Sequence, residues 1–492
     1  MKPAAVVIGA GVNELVAAHR LARAGLEVTV VSAAGAAAER ADSGWVPPSV
    51  ARELGIDVKA LAKPQVGPWA VAPLEGGGRL ELSGDVRASA EAIGRLSARD
   101  GERWPAFCER MHRYAAELES LYSKPPPAPL AQDVRGLALL ARDAWRVRGL
   151  GRSGLQDFMR LLPMSVADFL DEWFECDALK GILGAAGVMH AFHGPRSGGT
   201  AFNLLHHHVG AAPGVFRPPA SRLHALLITR EGVQHRSGDA ARVLVSAGRV
   251  CGVALESGET LEAGLVVAGC APERALLHLI DPAMIDPQLA RAVRHVRCRG
   301  VAAEIDLVLD RDPGFSRLVI APALDYLERA YDDAKYGRVS ANPYIEAQLR
   351  GATEGGRFDV RVHVQYVPYT LREGELDSGA RQALESGVVA RIAEVVPGFE
   401  SSILERHVLA PHDLERAHGY PEGQPYHAEL ALDQVLWMRP LPELAHYRTP
   451  VEGYYLCGPA MHPGAGIAGA AGSNAASVIL ADLKRGVLRR SA

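Results

Sequence analysis

Apolar residues at the start of the chain follow the pattern of buried strands joined to a helix by glycines. The apolar run 4–8 leads into Gly9 and Gly11, and apolar residues at helical spacing follow over 15–22. A second apolar strand is predicted over 27–31. Strand and helix periods in this order predict a β-α-β unit at the N-terminus.

The rest of the chain alternates between helical and strand patterns. Residues 36–105 are rich in Gly, Pro and Ala, which predicts loops with short elements. Helices are predicted over 107–122, 137–147, 165–175, 222–231 and 378–395, and strands over 242–245, 250–255, 265–269, 301–309 and 360–367. From residue 453 the tail returns to a strand, a glycine loop and a final helix from Asn474. The two ends of the chain must therefore meet in one domain, with the middle inserted.

The N-terminal turn matches a dinucleotide-binding fingerprint at two of three glycines. Gly9 makes the tight turn and Gly11 lets the backbone approach a pyrophosphate, but Glu14 stands where the third glycine packs helix on strand. The second strand ends in Ser32, where an acid would hold a ribose hydroxyl. We expect Gly9, Gly11 and Asn13 to face a pyrophosphate, and Ser32 to offer one hydrogen bond.

Glu14 leaves two interpretations open. Its negative charge suits the first turn of a helix but repels a pyrophosphate nearby. Alternatively, Glu14 is an ordinary first-turn residue on a helix that no longer binds phosphate. No Arg in 33–36 marks a ribose 2′-phosphate.

Composition limits the class of protein. The 492 residues carry a net charge of −4 and are 48% hydrophobic and 22% charged, which predicts a soluble protein of two or three domains. No basic surface points to nucleic acid. We find neither a signal peptide nor a bilayer-spanning run, so we expect a cytoplasmic protein. The six cysteines form no C-x-x-C pair, which favours reduced thiols.

The tail carries a family resemblance. Residues 453–476 read GYYLCGPAMHPGAGIAGAAGSNAA, which resembles the flavin motif of phytoene-desaturase-like FAD-dependent oxidoreductases. The resemblance is closest to the group named pyridine nucleotide-disulfide oxidoreductase domain-containing proteins. Further segments resemble that group as well, at 171–175, 204–207, 325–337, 364–369 and 427–434.

The resemblance implies an α/β fold with a discontinuous Rossmann-like FAD-binding domain and an inserted α+β substrate domain. The first would comprise residues 1–70, 215–300 and 445–492, and the second 71–214 and 301–444. The implied reaction is oxidation or reduction of a substrate C–H bond, with hydride passing through flavin N5. The implied substrate is apolar or lipid-like.

Glycines of the tail are the candidates for the flavin end of the cofactor. They are Gly458, Gly464, Gly466 and Gly469. Without a Cβ atom they let backbone approach a flat ring. The alternative is a small-residue loop that packs tightly on a neighbouring helix.

Three departures from the family fall on the ADP side: Glu14, Ser32, and the absence of a second glycine pair from 33–44. They predict weakened FAD binding. They also motivate a second hypothesis, a flavin-free relative that serves as a binding partner, scaffold or carrier subunit. Peripheral membrane contact and homo-oligomer formation stay open.

Histidines invite a metal or catalytic hypothesis. His190, His193 and 206–208 lack an acidic partner at ligand spacing, so we expect no metal site. His462, within the tail loop, is a weak candidate proton donor, and the alternative is that it shapes the loop.

Overall fold

The computed structural model describes residues 4–33, 44–61, 67–126, 141–142, 148–352, 355–372 and 374–487. The helix predicted over 137–147 lies mostly outside these residues, and so does most of the stretch 33–44. Among the described residues, no helix has the length and apolar character needed to cross a membrane.

A five-stranded parallel sheet gathers strands from both ends and the middle of the chain. Its strands are β1 (Ala4–Ile8), β2 (Glu27–Ser32), β5 (Gln234–Ser237), β9 (Leu265–Ala268) and β15 (Tyr454–Leu456). Their order is β15-β9-β1-β2-β5, with every neighbouring pair parallel. Since β2 and β9 lie on opposite sides of β1, the carboxyl ends of β1 and β9 border the crevice in which open α/β sheets bind ligands.

Helices and a small antiparallel sheet cover the parallel sheet. The helices are α1 (Val12–Arg23), α2 (Pro48–Leu54), α3 (Val58–Leu61), α10 (Leu223–Ile228), α11 (Pro287–Arg294) and α15 (Ala470–Arg485). The small sheet contains β6 (Ala240–Ser246), β7 (Arg249–Leu255) and β8 (Thr260–Glu262). Together they form one buried apolar core. The final helix starts earlier than predicted, at Ala470, because Gly469 adopts a left-handed conformation as its N-cap.

A seven-stranded mixed sheet forms the second layer system. Its strands are β3 (Ala70–Pro73), β4 (Arg79–Leu82), β10 (Ala302–Leu309), β11 (Arg317–Ile320), β12 (Tyr344–Ala352), β13 (Phe358–Gln365) and β14 (Ile403–Leu409). The strand order across the sheet is β14-β10-β13-β12-β11-β3-β4. One face packs on α13 (Ser378–Ala393), beside α14 (Pro411–His418). In β10 the residues on this face are buried, and those on the other face are mostly half-buried.

The other face of the mixed sheet packs on a helical layer. Its helices are α4 (Val86–Gly94), α5 (Ala98–Tyr122), α6 (Gly151–Leu161), α7 (Val166–Trp173), α8 (Asp177–Val188), α9 (Thr200–His208) and α12 (Leu324–Lys335). The helix that was predicted to begin at residue 107 begins earlier, at Ala98. Ser97 caps α5 by accepting a hydrogen bond from the backbone N–H of Asp100 at 3.2 Å. The predicted α/β architecture with a Rossmann-like part is confirmed.

Candidate cofactor and substrate site

Three glycines line the crevice outside the carboxyl ends of β1 and β9. Gly9 and Gly11 form the turn between β1 and α1, and Gly269 directly follows β9. We call Gly9, Gly11 and Gly269 the glycine cradle. A diphosphate bound to this fold lies against such a turn, at the N-terminus of the helix that follows it.

The side chain of Glu14 fills the glycine cradle. A Cβ atom added to Gly269 would stand 1.7 Å from Oε1 of Glu14, and one added to Gly11 would stand 2.6 Å from Oε2. A Cβ atom on Gly9 would stand 3.2 Å from Cγ of the same side chain. The carboxyl group therefore takes the space that three absent side chains leave.

Burial changes the acidity of this carboxyl group. Glu14 is only 5% exposed. Loss of hydration raises the pKa of Glu14 to about 7, and a hydrogen bond from its own backbone N–H partly opposes that rise. The glycine cradle thus holds a carboxyl group that changes its charge near neutral pH.

The other two ADP-side candidates contact protein atoms. Asn13 is buried between α1 and α15, where its Oδ1 accepts a hydrogen bond from the backbone N–H of Gly472 at 3.4 Å. Ser32 is half-buried at the end of β2, and its carbonyl accepts a hydrogen bond from the N–H of Gly238 at 2.9 Å. Cofactor contacts of Asn13 and Ser32 stay predictions.

Protein packing explains three of the four candidate glycines in the tail loop. A Cβ atom added to Gly458 would stand 2.0 Å from the Gly269 carbonyl oxygen. One added to Gly464 would stand 3.1 Å from Nε of Arg439, and one added to Gly469 would stand 2.6 Å from Cγ2 of Val16. Gly466 is different, since the nearest atom to its Cβ position is 3.7 Å away. Ala465 and Gly466 are also half-buried rather than buried. Residues 465–466 are therefore the partly accessible part of the loop, and a Cβ atom at Gly466 would meet Pro218 and His206 only at ordinary contact distance.

His462 holds the tail loop against the end of α5. Its Nε2 lies 3.1 Å from the Leu121 carbonyl oxygen, and its own carbonyl accepts a hydrogen bond from the Tyr447 hydroxyl at 2.7 Å. The side chain is fully buried, which lowers the pKa of His462 to about 4. These contacts describe a neutral histidine that shapes the loop, and a catalytic role stays a prediction.

A hydrogen-bonded chain joins α5 to the open part of the loop. The Tyr122 hydroxyl lies 2.8 Å from Nδ1 of His206, and Nε2 of His206 lies 2.8 Å from the Ala465 carbonyl oxygen. Burial lowers the pKa of His206 to about 3, so the ring is neutral. Because only Nε2 faces a carbonyl, it carries the proton, and Nδ1 accepts the hydrogen bond from Tyr122.

The consecutive histidines of α9 do not converge on one point. His207 and His208 place Nδ1 against the carbonyl oxygens of Ala186 and Val215, at 2.7 and 2.6 Å. Across the described ranges, no group of three His, Cys, Asp or Glu side chains is arranged to hold a metal ion. All six cysteines are free thiols.

Three polar aromatic side chains, all half-buried, pack together near the carboxyl end of β13. We call His190, His363 and Tyr426 the His190 group. The His190 ring centroid lies 4.6 Å from that of His363 and 5.1 Å from that of Tyr426. Burial lowers the pKa of His190 well below its usual range, yet its side chain is half-buried rather than buried. His190 is thus surrounded by protein and still partly accessible.

Two glutamines hold His190 in an uncommon backbone conformation. His190 has a φ of +55°, which a non-glycine residue rarely adopts without support. Oε1 of Gln365 accepts a hydrogen bond from the His190 N–H at 2.7 Å, and Nε2 of Gln424 donates one to the His190 carbonyl at 2.7 Å. The side chain of His190 is thereby aimed by two separate elements.

Direct contacts connect the His190 group to the tail loop. The Tyr426 hydroxyl lies 3.4 Å from Nε2 of His207, the neighbour of His206. Arg439 donates to the Tyr426 carbonyl at 3.3 Å and also packs on Gly464. The His190 group therefore lies close to the loop that resembles a flavin motif.

Sequence reasoning missed the His190 group because its members are far apart in the chain. His190 was considered only as a metal ligand, while His363 and Tyr426 lie on a strand and in a loop of the predicted substrate part. The one local signal was the resemblance of 364–369 and 427–434 to the family, which lies beside His363 and Tyr426.

FAD meets different conditions at the two ends of the crevice. At the ring end, Gly466 is half-buried and its Cβ position meets no atom closer than 3.7 Å, which fits the approach of a flat group to the backbone. At the phosphate end, the Glu14 carboxyl group fills the glycine cradle, and a diphosphate fits there only after that side chain has moved.

No family profile matches the chain. It is 30% identical over 544 residues to pyridine nucleotide-disulfide oxidoreductase domain-containing protein 2 from Rattus norvegicus, with 98% of this chain and 94% of the relative covered. It is 27% identical to hydroxyneurosporene desaturase from Cereibacter sphaeroides, with 98% of each covered.

Solved structures share the fold at lower identity. An engineered putrescine oxidase matches with a TM-score of 0.60 at 15% identity, covering 98% of this chain and 99% of the other. Cyclohexylamine oxidase from Brevibacterium oxydans matches with a TM-score of 0.54 at 14% identity, covering 99% of this chain and all of the other (100%). The resemblance of the tail is thereby confirmed, and the chain belongs to the pyridine nucleotide-disulfide oxidoreductase domain-containing protein 2 family of phytoene-desaturase-like, FAD-dependent oxidoreductases.

Proposed function

We propose that this protein is an oxidoreductase that exchanges hydride between an apolar or lipid-like substrate and FAD. The observation that carries the proposal is that the loop at 465–466 and the His190 group, both partly accessible, are joined through Tyr426 and Arg439, and we infer that they border one internal space. Membership of the family supports the cofactor. The contacts through Tyr426 and Arg439 support the shared space.

The side chains around this space suit a substrate with an apolar body and one polar end. Met189 and Phe192 flank His190 in the chain and are half-buried apolar residues of the surrounding core. A substrate placed between them and Gly466 would present its polar end to His190 and Tyr426. Apolar walls with a few polar groups are typical of small-molecule sites.

His190 is the residue that we propose as the proton acceptor during oxidation. When FAD is bound, its ring system supplies the hydride acceptor. With FAD bound, the substrate carbon would give up a hydride and the atom bonded to it would lose a proton to the neutral His190 ring, so that two electrons and two hydrogens would leave together. Neutrality of His190 follows from the burial that lowers its pKa.

One observation favours a second candidate function, a flavin-free binding partner, scaffold or carrier. Glu14 takes the place of a diphosphate, and Ser32 cannot pair with both ribose hydroxyls as a carboxylate can. In that case the internal space would hold a ligand without redox chemistry. Fold alone does not decide between these functions.

The visible absorption spectrum of the protein, mixed with excess FAD at pH 6 and then desalted, tests the two candidates. We expect a perturbed flavin spectrum in the mixture. We also expect that some members of a panel of long-chain alcohols and alkenes, added in the absence of oxygen, bleach the flavin absorption. A His190→Phe variant should keep the flavin spectrum and lose the bleaching. Absence of any bound flavin, both in this protein and in Glu14→Gly, would refute the oxidoreductase proposal and leave the second candidate.

A further inference from the structure

We propose that the Glu14 carboxyl group stands in for the cofactor's diphosphate in the glycine cradle, so that FAD enters only by displacing it. The inference rests on the proposed function, because it concerns how the cofactor of that function is admitted. It makes Glu14 a residue that decides which ligands the crevice accepts.

The contacts of Glu14 come from two separate loops. Gly9 and Gly11 belong to the turn before α1, whereas Gly269 follows β9 on the neighbouring strand. A side chain longer than glycine at any of the three would collide with or crowd Glu14 as it stands. The three glycines and Glu14 therefore form one fitted unit, in which the protein supplies the occupant of its own cradle.

The occupant resembles a bound anion in its chemistry. Gly11 is the N-cap of α1 and has no side chain to accept hydrogen bonds from the first turn. The Glu14 carboxyl group accepts one of these, from its own backbone N–H. Phosphate groups bind helix N-termini through the same unpaired N–H groups and the same helix dipole. One carboxylate thus takes a place where the fold otherwise receives a diphosphate.

The crevice offers a way out for this side chain. Gly11 is exposed and Gly9 and Val12 are half-buried, although Glu14 itself is buried. The carboxyl group lies directly beside Gly11, so rotation about the side-chain bonds of Glu14 leads toward solvent. A ligand that arrives from that side meets the carboxyl group first.

Among the residues that the structure describes, the neighbours of Glu14 place no positive charge at the carboxyl group. The titratable groups that face it are the thiols of Cys270, after β9, and Cys457, after β15, and burial raises the pKa of Cys270 to about 12. The positive charge of Arg274 acts on the Cys270 thiol, where it partly opposes the rise in pKa. His224 of α10 places its Nε2 2.9 Å from the Ala10 carbonyl oxygen. An ionised Glu14 would therefore repel a diphosphate without compensation from these described neighbours, and protonation removes that repulsion.

Proton binding gives the proposal a measurable sign. The pKa of Glu14 is about 7, so the carboxyl group is mostly neutral at pH 6 and mostly ionised at pH 8. If only the neutral form yields to FAD, the apparent affinity scales with the neutral fraction and rises about tenfold from pH 8 to pH 6. Substitutions that cannot ionise should remove this dependence.

FAD binding by four proteins at pH 6 and pH 8 tests the proposal, with calorimetry and absorbance after desalting as readouts. They are the unchanged protein, Glu14→Gly, Glu14→Gln, and the control Glu27→Gln, whose carboxylate is exposed at the start of β2. At pH 8 we expect Glu14→Gly to bind FAD at least about tenfold more tightly than the unchanged protein. Both Glu14 variants should lose the pH dependence, and Glu27→Gln should keep it. Glu14→Ala replaces Glu14→Gly if the latter does not fold.

Two outcomes separate this inference from the proposed function. Tight FAD binding by the unchanged protein at pH 8, with no gain in Glu14→Gly, overturns the inference and leaves the oxidoreductase standing. If no variant binds FAD, the proposed function fails, and ADP then serves as the probe of the cradle alone. Binding of ADP to Glu14→Gly but not to the unchanged protein would uphold the inference, and no binding to either would overturn it.

Discussion

Single residues in this protein have acidities that follow from what surrounds them. Glu14, His190, His206 and His462 all lie where water is scarce, and each pKa moves toward the neutral form. The main cause in each case is the cost of burying a charge. The three histidines are therefore uncharged at neutral pH, whereas Glu14 is divided between its neutral and ionised forms.

Glu14 should make the stability of the protein depend on pH. The pKa of Glu14 in the folded protein, about 7, lies above the ordinary value of 4.5, so the folded state binds its proton more tightly than the unfolded state does. Stability from this residue is thus greatest at low pH and falls as pH rises through 7.

Glu14→Gln removes that fall, because glutamine does not ionise. The difference in free energy of unfolding, variant minus unchanged protein, should increase by about 2–3 kcal/mol from pH 5 to pH 8. Urea unfolding across this pH range measures the effect. Parallel curves for the two proteins would contradict it, and Glu27→Gln provides the control.

At the scale of elements, long-range hydrogen bonds from side chains to backbone place the site. Gln365, at the end of β13, donates to the Val188 carbonyl at the end of α8 and accepts from His190. Asn474 of α15 donates to the carbonyls of Tyr122 and Lys124 at 3.2 and 3.1 Å, which holds the end of α5 on the tail. Strands and helices formed by local patterns are thereby joined at defined points.

Gln365→Leu should release the segment that carries His190. The substitution leaves the His190 N–H without its acceptor and takes one donor from the Val188 carbonyl, which keeps the hydrogen bond from the Ala191 N–H at 2.9 Å. We expect the lost hydrogen bonds to cost about 2 kcal/mol in unfolding free energy. The substitution also removes the support for the positive φ of His190, so hydrogen exchange of the His190 amide should accelerate. Gln348→Leu, at a half-buried site on β12, is the matched control and should change neither quantity as much. Equal behaviour of the two variants would exclude the role of Gln365.

At the scale of the whole molecule, one buried arginine connects the substrate part to the tail. Arg439 is fully buried and donates to the carbonyls of Glu429 and Gln434 at 3.0 and 3.1 Å. It also reaches the carbonyls of Ala428 and Pro459 at 3.1 and 3.0 Å. Burial lowers the pKa of Arg439 to about 10, but the group still carries its charge at neutral pH.

Arg439→Lys should destabilise the protein although it keeps the charge. A lysine ammonium cannot reach the carbonyls that the planar guanidinium joins, so several buried acceptors lose their donor. We expect a loss of about 3 kcal/mol or more in unfolding free energy, measured by urea denaturation. Arg242→Lys, at an exposed site on β6, should leave stability unchanged. A small effect at Arg439 would mean that water replaces the guanidinium.

Much of the fold could be predicted from local patterns. The β-α-β start, the strands at 242–245, 250–255 and 265–269 and the helix near 378–395 all follow from residue periods and turn residues, and each lies within about two residues of its predicted end. Errors arose where a cap decided the boundary, as at Ser97 for α5 and Gly469 for α15. A cap depends on one residue and its backbone geometry, which a periodic pattern does not contain.

The sequence by itself determined the family, the discontinuous α/β architecture and the substitution of Glu14 in the fingerprint, because these depend on residue order and identity. Only the tertiary structure decided where the Glu14 carboxyl group goes, since its partners Gly9 and Gly269 are separated by most of the chain. The same holds for the His190 group, whose members meet only when β13 packs against the segment after α8. Contacts between distant segments are set by packing, and packing is settled only when the whole chain has folded.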